Sequence, residues 1–178
     1  MPRLARAKIQ GLLPLMAAEI LCGAPALENF EVSDLHTTGS RQPFLDALKS
    51  HPNIRHLSMS RCENSAWDHL PAMQALESFV AVNPTPTLMR AILHCLKLQR
   101  LQFLDYEVRE QIVNELLRRL PRLEYVEISR FRGQPDAVDI SLANAHECLN
   151  TIVLWDSERN RQLYGALKYQ LPNVSVVL

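Results

Sequence analysis

The residue types able to do chemistry are sparse and scattered. Six histidines, His36, His51, His56, His69, His94 and His146, are the candidate metal ligands and proton carriers, yet none forms the His-x-x-x-His spacing that puts two imidazoles on one helix face. The nearest approach to a ligand set is His94-Cys95 with His146-Glu147-Cys148. In the repeat register described below these lie two units apart, on the order of 10 Å, whereas zinc needs its donors at about 2.0 to 2.3 Å. No metal and no cofactor is expected.

Covalent catalysis fares no better. Ser33-Asp34 with His36 is a turn sequence, and no serine sits in a Gly-x-Ser-x-Gly elbow. Five glycines supply neither Gly-x-Gly-x-x-Gly nor a phosphate-binding loop. The chain reads as a non-enzyme without a small-molecule substrate. Lysine plus arginine equals aspartate plus glutamate at 19 each, so there is no overall positive field of the kind that draws nucleic acid. The densest basic run, Arg118, Arg119 and Arg122 followed by Arg130 and Arg132, reads as a solvated face.

The cysteines Cys22, Cys62, Cys95 and Cys148 lack any Cys-x-x-Cys pair and are expected to be buried, reduced thiols. That favours a reducing compartment, cytoplasmic or nuclear. A competing reading takes Arg3, Arg6 and Lys8, the apolar run Leu12 to Ile20 and Ala24-Pro25-Ala26 as a mitochondrial or secretory address. Glu19 interrupts that run, and no segment reaches the roughly 18 apolar residues of a membrane span.

The elements that would position any site emerge from the chain registered on itself. An apolar-x-x-apolar-x-apolar frame occurs at Leu27-Phe30-Val32, Ile54-Leu57-Met59, Leu76-Phe79-Ala81, Leu98-Leu101-Phe103, Leu123-Val126-Ile128 and Leu149-Ile152-Leu154, and starts again at Val174. Its first positions are 27, 22, 22, 25, 26 and 25 residues apart, a period that implies stacked strand–helix units. Pro25, Pro52, Pro121 and Pro172 precede frames, where proline ends a helix and turns the chain into extended geometry.

Between frames the apolar period lengthens toward 3.6. Six residues before the frames stand Leu21, Leu48, Leu70, Ile92, Leu117, Ala143 and Lys168, and seven before them Ile20, Ala47, His69, Ala91, Leu116, Leu142 and Leu167, each set apolar at six of seven positions, one inward helix face repeated. Asp105, Ser157 and Thr85-Pro86 signal helix starts. The helices expected are 42–50, 87–95, 106–120 and 157–171. Residues 1–24 are expected to form an N-terminal capping helix or a partial repeat, within a single domain spanning 1–178 in about seven repeats.

These frames resemble the leucine-rich-repeat superfamily, and a helix in nearly every unit is most similar to the ribonuclease-inhibitor-like and F-box-associated repeats. The resemblance implies an α/β fold, a right-handed leucine-rich-repeat solenoid with a parallel sheet on the concave face and helices on the convex face. It also implies an intracellular scaffold that binds protein, such as the substrate-recognition part of a ubiquitin-ligase-like assembly. The alternative is a structural or assembly factor of an organelle, with Met1 to Lys8 as its targeting segment. No F-box precedes the first frame, so the chain is either a stand-alone repeat domain or the end of a longer protein.

In such strands the residues between frame positions line the open sheet face. Toward the N-terminus they are small and polar, including Asn29, Ser33, His56, Ser58, Ser60 and Ser78. Farther on they turn apolar and aromatic. The expected partner-binding residues are Val80, Val82, Arg100, Gln102, Leu104, Tyr125, Glu127, Val153 and Trp155, with Arg100, Tyr125 and Trp155 as anchors because interface hot spots favour those three types. The valine-rich end, Val174 to Leu178, predicts self-association through an edge strand.

Overall fold

The computed structural model describes residues 4–35, 40, 42–60, 73–84 and 86–178, with Thr87 described by its backbone alone. His36, Cys62, His69, Leu70 and Thr85 lie outside the described residues. Eight strands form one parallel sheet in sequential order: β1 (Arg6–Gln10), β2 (Asn29–Ser33), β3 (His56–Ser60), β4 (Ser78–Val82), β5 (Arg100–Val108), β6 (Tyr125–Phe131), β7 (Thr151–Leu154) and β8 (Ser175–Val177). Helices α1 (Pro14–Gly23), α2 (Gln42–Ser50), α3 (Pro86–Ile92), α4 (Glu110–Arg119), α5 (Ile140–Ala145) and α6 (Glu158–Gln170) alternate with them.

The frame residues meet across every strand junction. Phe30 stands opposite Leu57, Leu57 opposite Phe79, Phe79 opposite Leu101, Leu101 opposite Val126 and Val126 opposite Ile152. They point to the helix side, where they join Leu21, Leu48, Ile92, Leu117 and Ala143 in one continuous core. No unit can bury its apolar face alone, so stacking is the source of stability.

Five units turn from helix to strand the same way. The first frame residue donates its N–H to the carbonyl three residues back: Leu27 to Ala24, Leu76 to Met73, Leu98 to Cys95, Leu123 to Leu120 and Val174 to Leu171, all at 3.0 ± 0.2 Å. Histidine occupies the turn position at His51 and His146. The His51 ring bonds the Ala24 carbonyl at 2.9 Å and the His146 ring the Leu120 carbonyl at 2.8 Å, each reaching the matching turn of the preceding unit. Nδ1 of His146 also accepts the Leu149 N–H at 3.2 Å, which gives this imidazole a structural post.

Residues 1–24, expected to form a capping helix or a partial repeat, contain a strand and a helix. A strand, β1, precedes α1, and its Ala7 and Ile9 register with Phe30 and Val32. Arg6 and Lys8, two of the basic residues read as an address, lie on that strand, with Lys8 ion-paired to Glu31 at 2.5 Å, and Arg3 lies outside the described residues. The apolar run after it becomes α1, which starts with Pro14 in its first turn and buries Ala17, Ala18 and Leu21. Among the described residues no helix is long and apolar enough to cross a membrane.

The expected helix 106–120 is also corrected. Asp105 does not cap a helix; it takes φ 52°, and β5 runs on to Val108 before α4 begins at Glu110. Phe103 pairs with Ile128 but Glu107 pairs with Arg130, so Leu104, Asp105 and Tyr106 face the single residue Ser129. This bulge sends Tyr106 toward the core side, 6.3 Å from the Phe103 ring. Gly11, Asp34 and Asn83 repeat the left-handed conformation at the corresponding position of their units, with φ of 64°, 53° and 53°. Glycine, aspartate and asparagine are the residues that tolerate it.

Of the described cysteines, all free thiols, Cys95 alone is buried as expected, and burial pushes its thiol up to about 11. Cys22, on α1, and Cys148, between α5 and β7, are exposed, contrary to the expectation of burial.

Candidate protein-binding surface

The sheet face opposite the helices carries the residues between frame positions, and the strand register sorts them into rows. One row runs Asn29, His56, Ser78, Arg100, Tyr125, Thr151; the next runs Lys8, Glu31, Ser58, Val80, Gln102, Glu127, Val153. A third includes Ser60, Val82 and Leu104, with Trp155 just beyond the end of β7.

Five of the nine expected residues are joined in one bonded cluster. Glu127 is its centre: one carboxylate oxygen accepts the Gln102 amide at 2.6 Å and the Tyr125 hydroxyl at 2.8 Å, and the other accepts the Trp155 indole N–H at 2.6 Å. Tyr125 and Glu127 are two apart on one strand and therefore share a face, while Gln102 sits directly across from Glu127. The Arg100 guanidinium stacks 4.5 Å from the centroid of the Tyr125 ring, a cation–π arrangement that fixes both side chains.

Val153 flanks Glu127 on the far side, Val80 flanks Gln102, and Val82 stands opposite Leu104. These apolar residues are half-buried, Arg100 is exposed, and Trp155 is 47% exposed despite its bond. Ser129, two residues after Glu127 on β6, is buried opposite the β5 bulge.

Burial, followed by the bond to Glu127, raises the Tyr125 phenol above its ordinary value, so it stays a protonated donor to the carboxylate. The cluster can hold a contact surface rigid; it holds no nucleophile–base pair. Among the described residues no three His, Cys, Asp or Glu side chains gather as a metal site.

Asn160 is a support that the frame analysis misses. It is fully buried on α6, accepts the Phe131 N–H at 2.8 Å, and donates its amide to the carbonyls of Trp155 at 2.7 Å and Ser129 at 3.1 Å. It thereby ties the end of β6 to the turn that carries Trp155. Its sequence signal is an amide three residues after the cap Ser157, whose hydroxyl accepts the Asn160 N–H.

The basic run is largely neutralised. Arg118 and Arg119 reach Glu115, Arg130 reaches Asp105, and Arg132 reaches Glu107 at 2.7 Å, all on the surface.

No family model matches the sequence, and no curated protein matches it. Among solved structures, an internalin C2 from Listeria monocytogenes is similar over 98% of this chain and 80% of its own, at a TM-score of 0.55 and 14% identity. The fold is a leucine-rich-repeat solenoid. In leucine-rich-repeat terms, the Glu127 cluster occupies the open strands of three consecutive units, β5 to β7, and Asn160 braces it from the helix side.

Proposed function

We propose that this leucine-rich-repeat chain is a protein-interaction module whose partner docks on the open sheet face between β4 and β7. The observation that carries the reading is the Glu127 cluster: an exposed tryptophan, a tyrosine and a stacked arginine are held in place before any partner arrives. A contact surface fixed in advance spares the ordering entropy that binding otherwise costs, and these are the side-chain types that dominate interface energies. Substrate recognition within a ubiquitin-ligase-like assembly is the specific form that similarity to F-box-associated repeats suggests.

The test is affinity capture from cell extract by the native chain and by a Tyr125→Ala/Trp155→Ala variant whose fold is verified by circular dichroism. A partner retained by the native chain and lost by the folded variant supports the reading. Equal recovery of every protein by both refutes it.

A further inference from the structure

Between β4 and β7 the open face engages its carboxylate internally and leaves one arginine without a carboxylate partner among the described residues. Glu31 is paired with Lys8, and both oxygens of Glu127 are occupied by Gln102, Tyr125 and Trp155. Arg100 stacks on Tyr125 but has no carboxylate partner among the described residues. Stacking occupies one face of a guanidinium and leaves the N–H groups in its plane free, and those groups match a carboxylate in a two-pronged hydrogen bond. Around it lie the half-buried Val80, Val82, Leu104 and Val153 and the exposed Trp155.

We infer that the partner presents to this face an acidic–apolar polypeptide segment, with an Asp or Glu carboxylate on Arg100 and an apolar side chain against Trp155. The inference rests on the open face being the docking surface. Its geometry adds a spacing. Arg100 and Trp155 are two strands apart and displaced by one row-to-row step beyond the Glu127 row. Strand spacings of about 4.8 Å and rises of about 3.3 Å per residue separate them by roughly 16 Å, the span of about five residues of extended chain.

An acidic peptide fits better than a nucleic acid here. A phosphate backbone would bring repeated negative charge onto a face that already holds Glu31 and Glu127, while Arg130 of β6 is paired with Asp105 and Arg6 is four strands away on β1.

Selection of a random twelve-residue displayed-peptide library on the full immobilised chain tests this directly. Expected is enrichment of an Asp or Glu about five positions from an aromatic or large aliphatic residue. Affinity for the selected peptides should fall about tenfold in Arg100→Gln, fall by less in Arg100→Lys, which keeps the charge but not the two-pronged geometry, and be lost in Trp155→Ala; selection on Arg100→Glu should enrich Lys or Arg instead. Circular dichroism of each variant controls for folding. Selected peptides without a carboxylate, bound equally by Arg100→Gln but lost in Trp155→Ala, would overturn the acidic assignment and leave the docking surface standing. Failure to obtain peptides dependent on either residue would overturn both. Tighter, Arg100-dependent binding of a fluorescein-labelled twelve-nucleotide oligouridylate would overturn the assignment in favour of nucleic acid.

Discussion

At the scale of single residues, the solenoid depends on a few polar side chains placed where apolar ones would be expected. Asn160 satisfies one buried backbone donor and two carbonyls that no strand partner reaches. Replacing it with leucine strands those groups, and each orphaned buried group costs about 1 to 3 kcal/mol. Asn160→Leu should therefore lose about 3 kcal/mol in urea unfolding and, because Trp155 loses its support, weaken partner binding as well. A loss below about 1 kcal/mol would show that water replaces the amide.

Gly133 is a second such point, since a Cβ there would fall 1.9 Å from a Glu110 carboxylate oxygen. The acid must swing away, so Gly133→Ala should lower the melting temperature, whereas Gly133→Ala combined with Glu110→Ala should recover part of it.

Cys95 supplies a pH dependence. Its thiol titrates near 9.0 when unfolded and near 11 when folded. The folded state thus holds the proton more tightly, and its contribution is complete below pH 9.0 and declines as pH rises toward 11. Stability measured across that window should fall less steeply in Cys95→Ala. At pH 8 iodoacetamide should label Cys22 and Cys148 in the folded protein and leave Cys95 unmodified, as read by peptide mass spectrometry; prompt labelling of Cys95 would contradict its burial.

At the scale of elements, the left-handed turns after β1, β2, β4 and in β5 set how each strand leaves the sheet. Asp105→Val should cost on the order of 1 to 2 kcal/mol because a β-branched residue resists φ 52°, while Asp105→Gly should be nearly neutral. Equal stability of the two variants would mean that the bulge rearranges.

Much of this architecture is legible in the sequence, because the frame positions and the two helix positions before them recur at similar distances and most of the described ones pack into one core. Strand β1 is harder to read: Ala7 is a small frame residue, and Arg6 and Lys8 beside it imitate an address segment. The bulge misleads for a local reason, since Asp105-Tyr106-Glu107 has the look of a helix start until β6 supplies pairing for Glu107 and Val108. The composition of the candidate surface follows from alternation along the strands. That Glu127 binds Gln102, Tyr125 and Trp155 does not, because two of those bonds cross between units 25 and 28 residues apart.

For the whole molecule, stacking means that each unit is stabilised only by its neighbours. Strands β4 to β6 have partners on both sides, whereas β1 and β8 have one each, and Val177 and Leu178 remain about 45% exposed at the far edge. Amide hydrogen exchange should therefore be slowest in β4 to β6 and progressively faster toward both ends. Uniform protection from β1 to β8 would instead indicate a single cooperative unit.

The repeated junction also bears on how such a chain changes length over generations. At each step before the last, two successive N–H groups converge on one carbonyl of the preceding unit, as Gln99 and Arg100 do on Glu77 and as Glu124 and Tyr125 do on Gln99. A tandem duplication of residues 98–122 in the gene would present the same donors and acceptors at both new seams, so recombination can lengthen this sheet by whole strands where a closed barrel would be broken by the same event.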